Sequence, residues 1–149
     1  FGYSVALSGD TALVGASGDD DKGQNSGSAY IFVRNGTMWT QEQKLMASDG
    51  AADDVFGSSV AIWNDFATVG AYWDDDRGQY SGATYTYALT NGQWSEQEKH
   101  APSDGIAGQK FGCAVAIDGD LAIAGAYGDD EKGVESGAAY VFSVAGTTP

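Results

Sequence analysis

The chain is poor in the residues that most reactions and most covalent or metal staples need. It has one cysteine, Cys113, and one histidine, His100, in 149 residues. A single thiol excludes an intrachain disulfide and any multi-cysteine zinc site. A single imidazole removes most metal and triad chemistry. Basic residues are scarce too: seven Lys and Arg stand against 21 Asp and Glu, a net charge of −14. Such a surface repels both nucleic-acid phosphates and anionic membranes, so neither is expected as a partner. No apolar run has the length of a membrane span, so no insertion is expected, and no signal-peptide pattern occurs. The chain opens on Phe1 rather than Met, which reads as a mature or trimmed piece. No stretch carries sustained helical periodicity with caps.

What is abundant points to turns and a packed core. The acids divide into 16 Asp and 5 Glu, and there are 22 Gly. Asp and Gly organise turns, where Glu would favour helix. With 42% apolar residues, including 6 Phe, 8 Tyr and 4 Trp, the chain is too hydrophobic for a disordered acidic tail.

The strongest signal is self-similarity. Phe1-Gly2, Phe56-Gly57 and Phe111-Gly112 recur at one constant offset, and the three copies align without a gap. Residues identical in the three copies include Val5/Val60/Val115, Asp10/Asp65/Asp120, Gly15/Gly70/Gly125, Asp19/Asp74/Asp129, Gly27/Gly82/Gly137 and Tyr30/Tyr85/Tyr140. A period of this length signals a solenoid, propeller or array. Within the first copy, Ser4–Leu7, Thr11–Ala16, Ala29–Arg34 and Trp39–Leu45 read as strands. The second is small and apolar like an inner strand, the third aromatic and β-branched, and the fourth polar like an outer edge. Asn35-Gly36 and Asn91-Gly92 are type I′ hairpin signals. Four antiparallel strands per repeat describe a propeller blade. The predicted organisation is all-β, with blades at 1–55, 56–110 and 111–149, the third without its outer strand.

Phe-Gly, then Ser-Val-Ala, then Val-Gly-Ala, then Ser-Gly-(Ser/Ala)-Ala-Tyr-(Ile/Val)-Phe resembles the FG-GAP repeat, the blade unit of integrin α-subunit propellers and of many surface proteins. The resemblance implies a β-propeller, commonly seven-bladed, in extracellular or cell-surface proteins that bind ligands or build structure. Integrin-type blades often carry a calcium loop between their first two strands. Here that connection is only Ser8-Gly9-Asp10, Trp63-Asn64-Asp65 or Asp118-Gly119-Asp120, too short to wrap an ion. The chain is closer to the bacterial-style branch, whose acids gather between the second and third strands. Three blades cannot close a ring. The expectation is therefore a fragment of a longer chain, or copies joined head to tail through blade faces and strand edges.

Candidate functional residues follow. Asp19, Asp20, Asp21, Asp74, Asp75, Asp76, Asp129, Asp130 and Glu131 form three acidic loops, each followed by a base and Gly. They offer calcium its oxygen ligands, or else they organise turns while the following Lys22, Arg77 or Lys132 offsets their charge. Trp63, Trp73 and Tyr80 occur only in the second copy; they suit stacking on a glycan or a partner, or packing on a neighbouring blade. Trp39 and Trp94 recur at one position, where packing accounts for them. Asn35-Gly36-Thr37 is a glycosylation pattern as well as a turn. His100 is expected in an exposed loop, and Cys113 replaces Tyr3 and Ser58 as a tolerated small residue. No nucleophile–His–acid set can be built more than once, nothing resembles a phosphate loop, and acids in turns are not general acid–base pairs without a pocket. The reading is a non-catalytic extracellular module for adhesion or structural assembly, with calcium as a candidate stabiliser. A carbohydrate-binding module is the alternative.

Overall fold

The computed structural model describes residues 1–145. Eleven strands and no helix occur among them. The first sheet is a meander of β1 (Ser4–Ser8), β2 (Thr11–Ala16), β3 (Ser28–Asn35) and β4 (Met38–Leu45). The second repeats it with β5 (Ser59–Trp63), β6 (Phe66–Ala71), β7 (Ala83–Thr90) and β8 (Gln93–His100). The third has β9 (Phe111–Asp118), β10 (Leu121–Ala126) and β11 (Ala138–Ser143). All neighbours within a sheet are antiparallel and sequential, as hairpin connections dictate. The predicted strands are all present. The boundary at 55/56 lies in the connection from β4 to β5, and that at 110/111 just ahead of β9. Residues 146–149 of the third unit lie outside the described residues.

Turn chemistry holds the register. Asn91 and Gly92 both have positive φ (52° and 74°), the type I′ pattern foreseen there. The first sheet differs from that expectation. Asn35 pairs with Met38, so Gly36 (φ 64°) and Thr37 are the central residues and only the first is left-handed, the type II′ pattern. Asn35 is thus the exposed last residue of β3 rather than a turn centre.

The sheets stack face to face, β1 and β2 against β5, then β5 and β6 against β9. Like sequences therefore meet unlike surroundings. In β1 burial alternates residue by residue, as in a strand with one face in water. In β5 the first four residues are all buried, because the second sheet is covered on both faces. The main core lies between the first two sheets, with Leu13, Ile31 and Leu45 from one side and Phe56, Val60, Ile62, Val69 and Trp94 from the other. The interface to the third sheet is more polar. Thr68, Thr84 and Thr86 are buried there, and the hydroxyls of Thr68 and Thr84 have no partner among the described residues.

Close backbone approach between sheets explains the repeated Gly15 and Gly70. A Cβ on Gly15 would strike the Gly57 carbonyl, and one on Gly70 the Gly112 carbonyl, both well under 3.0 Å. In the same clefts Ser4 Oγ donates to the Gly57 carbonyl (2.8 Å) and Ser59 Oγ to that of Gly112 (2.7 Å). Each Phe-Gly pair is thereby seated on the preceding sheet. Phe56 also bridges Gly27, and Phe111 bridges Gly82.

Candidate functional site

The acidic loops connect β2 to β3 and β6 to β7, and follow β10 in the third sheet. Their three acids have three separate tasks. The first is an anchor: Asp19 Oδ2 accepts from Ser28 Oγ (2.7 Å) and the Tyr30 hydroxyl (2.8 Å). The second caps the loop, with Asp20, Asp75 and Asp130 accepting the backbone N–H of Asn25 (2.7 Å), Tyr80 (2.6 Å) and Glu135 (2.5 Å). Those three donor residues all have positive φ, 52°, 56° and 50°, so the carboxylate stabilises a left-handed position that L residues rarely adopt. The third acid joins the first in holding a cation, and that cation belongs to the protein.

The cation comes from the outer strand. Lys44 on β4 pairs with Asp19 (2.9 Å) and with Asp21. Lys99 on β8 pairs with Asp49 (2.8 Å), Asp74 (2.8 Å) and Asp76 (2.5 Å). Strand register delivers both, since Lys44 lies opposite Tyr30 and Lys99 opposite Tyr85. The Tyr85 hydroxyl stands 2.8 Å from Asp49 and 2.9 Å from Asp74. Hydrogen bonds from Lys44, then Ser28 and Tyr30, hold the Asp19 carboxyl far below the usual carboxylate range. Burial opposes the Lys99 charge, but Asp49, Asp74 and Asp76 outweigh it and keep its pKa above the ordinary value. In the first two loops the base that follows the triplet is not the neutralising group expected from sequence, whereas Lys132 in the third lies 3.9 Å from Glu131. Lys22 Nζ donates instead to the carbonyls of Ala47 (2.7 Å) and Ser48 (2.9 Å). Among the described residues, no group of three or more Asp, Glu, His or Cys is arranged to hold a metal ion. Lys44, Lys99 and Asp49 were missed in the sequence reading, although the recurrence of the two lysines at one repeat position was a usable signal.

The third loop has the same frame without an ammonium. Asp129, 1% exposed, accepts from the Tyr140 hydroxyl (2.9 Å), Gln109 Nε2 (3.0 Å) and the Glu131 N–H (3.0 Å). Those bonds, the backbone one foremost, lower its pKa.

The three aromatics do not form one site. Trp73 and Tyr80 meet in the loop between β6 and β7, ring centres 5.5 Å apart, and Tyr72 joins them at 5.6 Å from Trp73. Trp63 lies at the β5–β6 hairpin, the opposite end of a six-residue strand and therefore roughly 17 Å away. Trp94 is buried and its backbone is clasped by the Gln43 side chain of the first sheet (2.9 and 2.7 Å). Trp39 is not packed in this way: it is 44% exposed, with the Arg34 guanidinium 5.9 Å from its ring. His100 also differs from expectation. It ends β8, stacks on Phe142 at 4.2 Å, and buries Nε2 without a hydrogen-bond partner among the described residues, the nearest carboxylate being Glu98 at 3.9 Å. Burial lowers its pKa. Cys113 is half-buried, and its thiol donates to the Gly125 carbonyl at 3.3 Å.

The two ends of the stack carry open apolar surfaces. A groove of about 560 Å³ on the first sheet is lined by Phe1, Val5, Leu7, Val14, Phe32 and Trp39. Their counterparts one repeat later are Phe56, Val60, Ile62, Val69, Tyr87 and Trp94, all buried against the first sheet. Phe1 is 77% exposed and Phe56 0%; Leu7 is 69% and Ile62 6%. At the far end, Ile123 and Val141 are exposed, whereas Leu13 and Ile31, at the same repeat positions, are fully covered.

Sheets of this order and stacking define a propeller-blade module. A family model described as FG-GAP repeat matches residues 1–32, 39–87 and 94–142, and the chain belongs to the FG-GAP repeat family. The second and third matches each begin on the outer strand of one sheet and end on the third strand of the next, so the family unit straddles two blades. No curated protein matches the chain.

Proposed function

We propose that the chain is a non-catalytic protein-contact module, serving adhesion or structural assembly outside the cell, whose end faces take up further blades of the same kind. The observation that carries this reading is the equivalence of the ends to the interior. The open face of the first sheet repeats, position for position, the face by which the second sheet is buried. The cleft at Gly125 repeats those of Gly15 and Gly70, but its nearest neighbour is the Cys113 sulfur at 3.5 Å. Contiguous apolar surface of this kind marks an interaction site, and a contact between unlike ends is heterologous, giving rings or filaments. One hydrogen bond of the internal interface has no equivalent, because Ala114 replaces Ser4 and Ser59. The absence of catalysis is supported by the state of the acids, which are engaged by lysines, tyrosines and loop N–H groups. The extracellular setting is supported by the family, whose repeats are typical of extracellular proteins.

Sedimentation over a range of concentrations tests the reading. The average mass is expected to rise above that of one chain with concentration, and Leu7→Asp to restore the monomer. A species of single-chain mass at every concentration, with Leu7→Asp indistinguishable from it, would refute contact through these faces.

A glycan-binding reading rests on one feature, the Trp73–Tyr80 pair, which is about one-third exposed beside a groove of about 290 Å³ lined by Tyr3, Tyr72 and Trp73. Loss of glycan-array signal in Trp73→Ala would support it, and an array blank for the wild type would remove it.

A further inference from the structure

The contact between the second and third sheets is built differently from that between the first and second. Leu13, Ile31 and Leu45 bring apolar side chains from the first sheet to the second. One repeat later these positions hold Thr68, Thr86 and His100, and Ala29 becomes Thr84. The hydroxyls of Thr68 and Thr84 and Nε2 of His100 are enclosed without a hydrogen-bond partner among the described residues. On the facing side Tyr87, whose hydroxyl donates to the Met46 carbonyl (3.0 Å), gives way to Phe142, which has no such donor. These changes put polar groups where the first contact has apolar ones, or remove a bond that crosses it.

His100 is the titratable group among these. Its ring stacks on Phe142 of β11 with centres 4.2 Å apart, and its side chain is 15% exposed. Charged and titratable groups approach it from each neighbouring element. On β8 are Lys99 and Glu98, the latter 3.9 Å from Nε2 and 64% exposed; the β6–β7 loop adds Asp76 and Arg77. Tyr140 of β11 shares a groove with the ring, and Asp104 of the connection from β8 to β9 acts on that tyrosine. Lys99 keeps its proton across the neutral and mildly acid range, and Tyr140, its pKa pushed up to about 12, stays neutral. Glu98 lies beyond hydrogen-bond reach and in water, where its field is screened, so burial outweighs it and favours the uncharged imidazole. A protonated ring would bring a charge and an unmatched N–H donor into the contact.

We propose that the contact between the second and third sheets is an acid-sensitive joint, closed while His100 is neutral and loosened when its ring takes up a proton. Backbone bonds from Gly108, Lys110 and Phe111 to the β6–β7 loop (2.8, 2.9 and 3.0 Å) tether the third sheet while its face parts from the second. The contact of the first and second sheets has Leu45 at this position and stays closed. A closed-state pKa below the ordinary 6.5 means that the opened joint binds the proton more tightly. Closure is therefore complete above about pH 7 and is lost as pH falls through 6.5. Asp54, in the connection between the first two sheets, has the opposite sign, so a global melt sums the two and a local readout separates them. The residues of the joint lie between two sheets of this chain, and its action does not depend on what meets the end faces.

Hydrogen exchange of the dilute full chain at about pH 7.5 and about pH 5, expressed as protection factors, reads the joint sheet by sheet. With the ordinary pKa in the open state, protection of the third sheet can fall by no more than about thirtyfold at the lower pH. A loss of about threefold or more in β9 and β10, with no loss in the first two sheets, is the expected result. His100→Leu installs the residue of the equivalent first-sheet position and is expected to abolish that loss. His100→Gln, neutral and polar, is expected to abolish it too, even where it weakens the joint at the higher pH. The one histidine also reports directly, since its Cε1–H resonance should titrate below 6.5 in the wild type. Equal protection of the third sheet at both pH values, the same loss in His100→Leu, an equal loss in all three sheets, or a histidine midpoint at 6.5 or above each overturns the proposal.

Discussion

Adding one methyl group at two equivalent positions separates contact between sheets from the fold of a single sheet. Gly70 and Gly125 occupy the same repeat position, but only Gly70 has a following sheet against it. In Gly70→Ala the new Cβ would collide with the Gly112 carbonyl and with Ser59 Oγ. The third sheet must then move off the second. Overpacking of this kind costs about 1–3 kcal/mol, and losing the Ser59–Gly112 hydrogen bond adds about 1 kcal/mol. A total of about 2–4 kcal/mol lowers the Tm by roughly 4–16 °C for a chain of this size. In Gly125→Ala the methyl group finds Cys113 Sγ at 3.5 Å and Ala114 Cβ at 3.9 Å, ordinary contacts. Its effect on the dilute protein is expected within about 0.5 kcal/mol of zero. Paired thermal melts by circular dichroism at low concentration read both values. Equal destabilisation by the two substitutions would refute the claim that this glycine serves the neighbouring sheet.

Other perturbations test other parts. Phe56→Ala removes a fully buried ring and is expected to cost about 3–5 kcal/mol, whereas Phe1→Ala, at a 77% exposed site, costs little in denaturant melts of the monomer. Thr68→Val replaces a fully buried hydroxyl that lacks a partner and is expected to stabilise by about 1 kcal/mol in urea titrations. Lys99→Met leaves the buried Asp74 unpaired and costs about 3–5 kcal/mol; Lys44→Met costs less, because Asp19 retains more water, and the order of the two midpoints checks this. Asp54 governs one limb of the pH profile. Burial pushes its pKa up to about 6, against the Ala51 N–H that favours the anion. The folded state therefore binds the proton more tightly, and stability falls as pH rises from about 4 to 6, by on the order of 2 kcal/mol. Asp54→Asn is expected to flatten that limb in melts across the range. Asp19 and Asp49, held below their ordinary pKa values, have the opposite sign and remove stability as pH falls below about 4.

Elements were legible in the chain because a gapless repeat sets segments of strand-like composition, bounded by turn residues, at equivalent positions. The alternation at Val5 and Leu7 reads directly as a strand with one apolar face. Which sheet would cover that face did not follow from alternation, since Val5 and Val60 have one sequence context and opposite burial. The acidic loops were legible as loops, and the Asp20-type turn bonds follow from the residue type. Their cation was not, because the charge partner comes from 23 to 25 residues away through strand register rather than from the adjacent Lys22 or Arg77. His100 was misplaced because Phe142, its stacking partner, lies on another sheet. Trp63 was grouped with Trp73 and Tyr80 by composition, and the intervening length of β6 separates them.

Hydrogen exchange followed sheet by sheet across protein concentration tests the central claim most directly, that a sheet of this chain is fully protected only when another covers each face. In dilute solution the amides of β5, β6 and β7 should exchange slowest, with β1 and the third sheet faster. Raising the concentration should slow β1 and β10 toward the middle sheet while leaving β5 to β7 unchanged. Equal protection of all three sheets at high dilution, or end sheets indifferent to concentration, would contradict the account.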